Sequence, residues 1–199
     1  MGADVIAVGS DHDYPHGKKR GAIVSKLSRD EVVKQLRSIK LLALDVDGVL
    51  TDDTLLFGPD GFEAKRFNIS DGLYMVLAQR AGLEIAIISG RYSPATDSRM
   101  TDLGIKHVLQ KKLDKTKQIA PLMETLNLEY ADIAFMGNEI LDIKLSQKVG
   151  LAIGVADSCK ELLDVVDYVT ERKGGEGAVR EVLELWFDAI GKSAQEFLV

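Results

Sequence analysis

Short apolar segments alternate along this chain with longer segments whose apolar residues recur at helical spacing. The short segments predict six strands, at residues 40–46, 84–89, 106–109, 133–137, 151–153 and 168–170. The longer ones predict helices at residues 72–81, 94–103, 116–126, 140–149 and 176–190, and Ser28 or Asp30 is placed to cap a short helix that ends at Arg37. Strands that alternate with helices are typical of βαβ units. We therefore expect an α/β fold with a Rossmann-like, doubly wound parallel sheet.

The same pattern predicts how the chain is divided. Residues 1–28 mix Gly, Asp, His, Pro and Lys without periodicity, which predicts a flexible leader. Residues 29–199 are expected to form a single domain. A chain of 199 residues with 46% apolar content can bury one substantial core, so no second domain is needed.

One segment interrupts the alternation directly after the first predicted strand. Residues 54–57 and 62–68 flank the turn sequence Gly-Pro-Asp-Gly, which predicts a β-hairpin. The hairpin is expected to form a small cap beside the end of that strand.

Candidate chemistry is concentrated at residues 41–52, Leu-Leu-Ala-Leu-Asp-Val-Asp-Gly-Val-Leu-Thr-Asp. The four leading apolar residues do not alternate with polar ones, as expected for a strand buried on both faces. Asp45 and Asp47 follow where such a strand ends, at the sheet edge where open α/β proteins bind ligands. Two acids one residue apart point to the same side, and like charges held so close indicate a cation or phosphate chemistry.

Composition excludes some classes of partner. A net charge of -6 argues against a nucleic-acid partner, and the basic cluster Lys18, Lys19 and Arg20 is interpreted as a solvated patch. No apolar run approaches the ~18 residues of a membrane span, so no membrane partner is expected. Cys159 is the only cysteine, which rules out an internal disulfide and favours the reducing cytoplasm.

Four motifs, in order, resemble those of the haloacid dehalogenase superfamily. Residues 45–51 match the first motif, the apolar segment ending at Ser89 matches the second, Lys115 at a predicted helix start matches the third, and residues 133–142 lie where the fourth is expected. Three further segments, at residues 67–72, 105–110 and 174–181, make the region from about residue 39 to 192 similar to 3-deoxy-D-manno-octulosonate 8-phosphate (KDO 8-phosphate) phosphatases and their sialic-acid relatives.

The resemblance implies an Mg²⁺-dependent phosphatase that works through an aspartyl-phosphate. Asp45 would be the nucleophile, and Asp47 would protonate the leaving sugar oxygen and later accept a proton from water. Ser89 and Lys115 would hold the phosphoryl oxygens. The metal ligands implied are the Asp45 side chain, the Asp47 carbonyl and Asn138.

The implied substrate is a small sugar-acid phosphate. Besides Ser89 and Lys115, its candidate binding residues are Gly90, Arg91, Arg66 and Asp71. KDO 8-phosphate is the first candidate. Ser70 stands where the KDO 8-phosphate phosphatases usually have Arg, and sialic-acid-type members can carry Ser there, so a nine-carbon acid 9-phosphate is an alternative.

Two features bear on activity and assembly. The fourth motif of the superfamily, Gly-Asp-Asp, is here Gly137-Asn138-Glu139, which removes one negative charge from the expected metal site. A weakly active or inactive phosphatase-like oligomerisation module is therefore a second hypothesis. The hairpin is too short to be a cap domain, and the resemblance implies a homotetramer in which a neighbouring subunit closes the site. A phospho-accepting receiver domain would not explain the paired Asp-x-Asp-Gly.

Overall fold

The computed structural model describes residues 25–198 of the chain. Most of the predicted leader and the basic cluster at residues 18–20 lie outside the described residues. The last leader residues that are described lie against the edge of the sheet, where Ser25 Oγ accepts a hydrogen bond from Val169 N at 3.0 Å and Leu27 N donates to Asp167 O at 3.0 Å.

Six parallel strands form the main sheet. They are β1 (Leu41–Leu44), β4 (Glu84–Ile88), β5 (His107–Leu109), β6 (Ile133–Gly137), β7 (Leu151–Gly154) and β8 (Tyr168–Val169), and their spatial order is β5-β4-β1-β6-β7-β8. β2 (Leu56–Phe57) and β3 (Glu63–Ala64) pair antiparallel in a separate hairpin. The predicted doubly wound sheet and the predicted hairpin are thereby confirmed, although each hairpin strand has only two residues.

Helices cover both faces of the sheet. They are α1 (Arg29–Leu36), α2 (Ile69–Arg80), α3 (Pro94–Asp102), α4 (Lys115–Leu126), α5 (Ile143–Ser146), α6 (Lys160–Leu163) and α7 (Ala178–Ile190). Of the two predicted caps, Ser28 is the one that caps α1, and its side chain and that of Glu31 form a capping box. No helix within residues 25–198 has the length and apolar character needed to cross a membrane.

The core follows from the side-chain alternation of the strands. Leu42 and Leu44 of β1 pack on one face with α1, α2, α3 and α7, whereas Leu41 and Ala43 pack on the other face with α4 and α5. Every residue of β1 is buried, because the strand lies between β4 and β6 in the middle of the sheet. This central position fixes the place of the residues that follow β1.

Two helices differ from the predictions for local reasons. The helix predicted at residues 140–149 is divided into a 3-10 turn, Ile140–Asp142, and α5, because the Asp142 carboxylate turns back to accept hydrogen bonds from the backbone N–H groups of Asn138 and Glu139. The helix predicted at residues 72–81 begins three residues earlier, because the Asn68 side chain caps its first turn. The four-residue α6 was not predicted.

Candidate active site

The strand order places the site at a topological switch point. The chain leaves β1 towards β4 and β5 and later returns to β6 on the other side of β1. The loops after β1, β4 and β6 therefore diverge around a crevice at the carboxyl edge of the sheet. A cavity of about 370 Å³ lies there, and its lining is formed by Asp45, Asp47, Asp53, Ser89, Gly90, Arg91, Leu113, Lys115, Asn138, Glu139 and Leu141.

Asp45 lies at the floor of this cavity, directly after β1. One carboxylate oxygen, Oδ1, accepts a hydrogen bond from Val46 N at 2.7 Å, and the other, Oδ2, is 2.8 Å from Lys115 Nζ. Burial raises the pKa of Asp45, and the Lys115 ammonium opposes that rise. The carboxylate is thus removed from bulk water and held by two donors in a fixed orientation.

Lys115 is the first residue of α4 and is buried between two carboxylates, those of Asp45 and Asp142. Burial disfavours the charged ammonium, but the two carboxylates outweigh it and raise the pKa of Lys115. Asp142 in turn accepts hydrogen bonds from Asn138 N at 2.9 Å and Glu139 N at 3.0 Å. Asp142 therefore links the loop after β6 to Lys115. Lys115 in turn links Asp142 to Asp45.

Ser89 ends the strand segment next to β1 and is buried. Its Oγ accepts a hydrogen bond from Arg91 N at 3.2 Å, and its carbonyl accepts one from Gln118 Nε2 of α4 at 3.3 Å. Gly90 lies against Leu113, which any side chain at residue 90 would crowd. The sequence-predicted phosphate-binding residues Ser89, Gly90 and Lys115 are thus brought together at one cavity.

Asn138 provides the test of whether the site fits a metal ion. Its side chain is buried at the cavity, and its Oδ1 has no hydrogen-bond partner within residues 25–198. The amide packs against Gly48, whose φ of +80° and lack of a Cβ allow the close approach. No cluster of three or more His, Cys, Asp or Glu side chains suited to a metal occurs in the described part of the chain. An ion here would therefore use Asp45, the free Asn138 oxygen and backbone oxygen, which are ligand types that Mg²⁺ accepts.

The mouth of the cavity is acidic. Burial, followed by the nearby carboxylates of Asp47 and Glu139, raises the pKa of Asp53. Glu139 itself is exposed, and its carboxylate accepts a hydrogen bond from Ile140 N at 3.1 Å. These carboxylates make the cavity favourable for a cation and unfavourable for a phosphate without one.

The hairpin supplies two charged residues that the sequence analysis did not select. Lys65 forms an ion pair with Asp47, and Glu63 binds both Arg91 Nη1 and Nη2, at 2.6 and 3.0 Å. The hydrogen bonds from Arg91 lower the pKa of Glu63 to about 2. The spacing Glu-x-Lys at the end of the short strand β3 was the available signal, because residues two apart in an extended chain face the same side.

Two predicted substrate residues lie elsewhere. Arg66 is exposed and donates to Asp52 Oδ2 at 2.7 Å, outside the cavity lining. Asp71 is buried on α2 and accepts a hydrogen bond from Arg180 N at 2.7 Å, in the first turn of α7. A contact with substrate therefore stays a prediction for both, and the structure gives Asp71 a role in joining two helices.

The glycine-rich segment before α7 packs on the loop after β1. Gly175 N donates to Val49 O at 2.9 Å, and a side chain at Gly174 would overlap the carbonyl of Gly48. The segment therefore supports the loop that carries Asp45 and Asp47. The Arg180 side chain pairs with Glu184 at 2.7 Å and lies over the Tyr74 ring.

A second, larger groove of about 510 Å³ lies beside α2 and the end of α7. Its lining is formed by Tyr74, Glu184, Phe187, Asp188, Gly191, Lys192, Ser193, Ala194 and Gln195. It contains none of the sequence-predicted site residues, so the smaller cavity at the sheet edge is the candidate site.

Comparisons with known proteins agree with this geometry. Residues 101–183 match the family model of haloacid dehalogenase-like hydrolases. The chain is 40% identical over 162 residues to the 3-deoxy-D-manno-octulosonate 8-phosphate phosphatase KdsC of Escherichia coli K12, covering 81% of this chain and 86% of that protein. The crystal structure of the corresponding Yersinia pestis phosphatase superposes with a TM-score of 0.80 at 37% identity, over 82% of this chain and 88% of that one.

A third relative was crystallised with ligands. The KDO 8-phosphate phosphatase of Moraxella catarrhalis, in complex with magnesium ion, phosphate ion and KDO, has a TM-score of 0.78 and 38% identity, covering 80% of this chain and 92% of that one. The fold is therefore that of a haloacid dehalogenase-like hydrolase. Within that class, the chain belongs to the KDO 8-phosphate phosphatase family, whose members are phosphoric monoester hydrolases.

Proposed function

We propose that this chain hydrolyses a sugar-acid phosphate, with KDO 8-phosphate as the first candidate substrate, and that Mg²⁺ is its cofactor. The observation that carries the proposal is the buried Asp45 carboxylate, held 2.8 Å from Lys115 in a cavity shared with Ser89 and Asn138. The Moraxella relative, which was crystallised with Mg²⁺, phosphate and KDO, supports the same substrate class.

In the first step, a carboxylate oxygen of Asp45 forms a bond to phosphorus while the bond from phosphorus to the sugar oxygen breaks. Asp47 gives its proton to the departing oxygen, which leaves as an alcohol. Lys115 and Ser89 hold the phosphoryl oxygens, and Lys115 also fixes the Asp45 carboxylate before attack. The product of this step is an aspartyl-phosphate on Asp45.

In the second step, a water molecule attacks the phosphorus of the aspartyl-phosphate. Asp47, now ionised, takes a proton from that water, and the bond between Asp45 and phosphorus breaks to release inorganic phosphate. We assign the metal to the Asp45 side chain, the Asp47 carbonyl and Asn138. When bound, Mg²⁺ supplies positive charge that offsets the repulsion between carboxylate and phosphate.

We further propose a homotetramer in the cytoplasm. The apolar residues of the hairpin, which lie exposed, support the assembly. The single cysteine supports a reducing compartment. Arg91, which lines the cavity, is the candidate for the substrate carboxylate, and such a contact requires the arginine to share its donors with Glu63.

A phosphate-release assay tests the proposal. Three substrates are compared with Mg²⁺ and with EDTA: KDO 8-phosphate, a nine-carbon sialic-acid-type 9-phosphate, and a hexose 6-phosphate without a carboxylate. We expect Mg²⁺-dependent release that is fastest with KDO 8-phosphate, and no release by Asp45→Asn, because an amide is not a nucleophile for phosphorus. Faster release from the nine-carbon acid would transfer the assignment to that substrate. Full activity of Asp45→Asn would refute the mechanism.

A further inference from the structure

The strap formed by Glu63 and Lys65 joins the hairpin to two separate loops of the candidate site. Glu63 lies in strand β3 and Lys65 directly follows it, so the two residues are two apart and their side chains share one side of the chain. Glu63 binds the guanidinium of Arg91, in the loop after β4, whereas Lys65 binds Asp47, in the loop after β1. The strap therefore fixes the two loops relative to each other.

Lys65 is the more unusual of the two. Its side chain is only 1% exposed, and its ammonium pairs with Oδ1 of Asp47, whose own side chain is 26% exposed. A buried ammonium is costly unless it is paired, so Lys65 and Asp47 depend on each other. Arg91 Nε lies 3.7 Å from the other oxygen, Oδ2, too far for a good hydrogen bond.

This arrangement makes the two oxygens of Asp47 unequal. An ammonium has three donors and no acceptor, so the oxygen bound to Lys65 can only accept. Oδ1 is therefore occupied by Lys65, and Oδ2, on the side of Arg91 and the cavity, is the carboxylate oxygen left for proton transfer. A single oxygen is thereby reserved for transferring the proton to and from the reacting groups.

We propose that Lys65 is a positioning residue that presents Oδ2 of Asp47 as the proton-transferring atom, which rests on the proposed function of Asp47 as the general acid and base. Lys65 contacts neither phosphate nor sugar in this role. It acts through the orientation of one carboxylate, and it makes the hairpin part of the catalytic apparatus as well as a cap.

The test compares leaving groups that differ in their need for a proton. The rate of aspartyl-phosphate formation is measured in single-turnover experiments at saturating Mg²⁺ with KDO 8-phosphate, whose alkoxide must be protonated, and with 4-nitrophenyl phosphate, whose phenolate leaves without a proton. We expect Lys65→Met to slow the first reaction about 10- to 100-fold, a part of the roughly 10²- to 10⁴-fold that general acid–base catalysis contributes, and the second less than about 3-fold. Lys65→Arg, which keeps a donor without an acceptor, should restore much of the loss.

Two further variants separate positioning from damage to the fold. Glu63→Gln weakens the other attachment of the hairpin while keeping Lys65, and we expect it to slow both substrates by a similar factor. Lys40→Met removes an exposed lysine at the opposite end of β1, paired with Asp132 at 2.8 Å, and should change neither rate.

Equal losses on both substrates for Lys65→Met would overturn the positioning role while leaving the phosphatase assignment intact. A wild-type chain that does not release phosphate from sugar-acid phosphates would instead refute the proposed function, and the role of Lys65 with it.

Discussion

At the scale of single residues, Asn138 is where this chain departs from its superfamily motif. Its Oδ1 is buried and has no hydrogen-bond partner in the described part of the chain, an arrangement that costs stability unless a cation uses the oxygen. A neutral amide also leaves less negative charge beside the buried Asp45 carboxylate. Compared with Asp at this position, we expect Asn138 to make the chain more stable without metal. We also expect it to make the site bind the metal less tightly.

Replacing Asn138 by Asp should therefore have opposite effects with and without Mg²⁺. In EDTA we expect Asn138→Asp to lower the melting temperature, because a second buried carboxylate is placed near Asp45. With Mg²⁺ we expect a larger increase in melting temperature than in the wild type and about tenfold tighter binding, equivalent to about 1.4 kcal/mol. Thermal melting and activity are both measured across an Mg²⁺ titration.

The control for Asn138→Asp is Asn127→Asp, which adds the same charge at the far end of α4. Three outcomes are informative. Tighter metal binding with faster phosphate release supports the ligand assignment. Tighter binding with lower activity would mean that Asn138 and Glu139 work as a pair, and that the ligand scheme of the family does not transfer. A melting temperature insensitive to Mg²⁺ in both proteins, without phosphate release, would favour the oligomerisation module.

The predicted site residues that the structure brings together at one cavity include those that end a buried strand. Asp45, Ser89 and Asn138 each follow an apolar segment, and the carboxyl ends of neighbouring parallel strands meet at one edge. Lys65 and Glu63 could not be predicted in the same way, because their positions depend on how the hairpin folds back over the loops. Arg66 illustrates the difficulty: it is adjacent to Lys65 in sequence, yet its side chain points to the opposite side and pairs with Asp52.

At the scale of elements, the contact between α2 and α7 depends on a buried carboxylate. Asp71 accepts a hydrogen bond from the first turn of α7, which is a favourable place for negative charge. Burial nevertheless raises the pKa of Asp71 to about 6. The carboxyl group of an unfolded chain titrates near 4, so the folded state binds this proton more tightly than the unfolded state.

The sign of the pH effect follows from that difference. The contribution of Asp71 to the free energy of unfolding is greatest below about pH 4 and falls as pH rises to about 6, by an amount on the order of 3 kcal/mol. Asp71→Asn cannot ionise, so its unfolding free energy should lack this decline. Urea unfolding of both proteins between pH 4 and 7 measures the difference, and Asp102→Asn, at the exposed end of α3, is the control. Parallel pH profiles for wild type and Asp71→Asn would contradict the assignment.

Element boundaries were predicted less accurately than element order, and the causes are side-chain caps. Asn68 moves the start of α2, and Asp142 interrupts the helix predicted at residues 140–149. Both residues bond to nearby backbone N–H groups, which hydrophobic periodicity does not report. The short α6 buries Leu162 against β7, a tertiary contact that overrides weak local propensity.

At the scale of the whole molecule, the hairpin carries several exposed apolar side chains. Leu56, Phe57 and Phe62 are 57%, 68% and 66% exposed, although their neighbours Glu63 and Lys65 are anchored to the active-site loops. Exposed apolar side chains grouped in one short hairpin favour association with another protein surface. A second copy that covers the hairpin would also lie close to the cavity, because the hairpin is tied directly to its lining residues.

We therefore expect light scattering to give about four times the 21.8 kDa mass of the chain at micromolar concentration. The double variant Phe57→Ser, Phe62→Ser should form smaller species, whereas Leu198→Ser, which changes an exposed leucine near the C-terminus, should not. Each chain carries a net charge of -6, so repulsion between subunits opposes assembly and added salt should stabilise the assembly.

If the neighbouring subunit closes the cavity, loss of assembly in the double variant must raise KM for the sugar-acid phosphate while Lys65 and Asp47 remain in place. A monomeric wild-type chain with full activity would show that the hairpin alone is a sufficient cap.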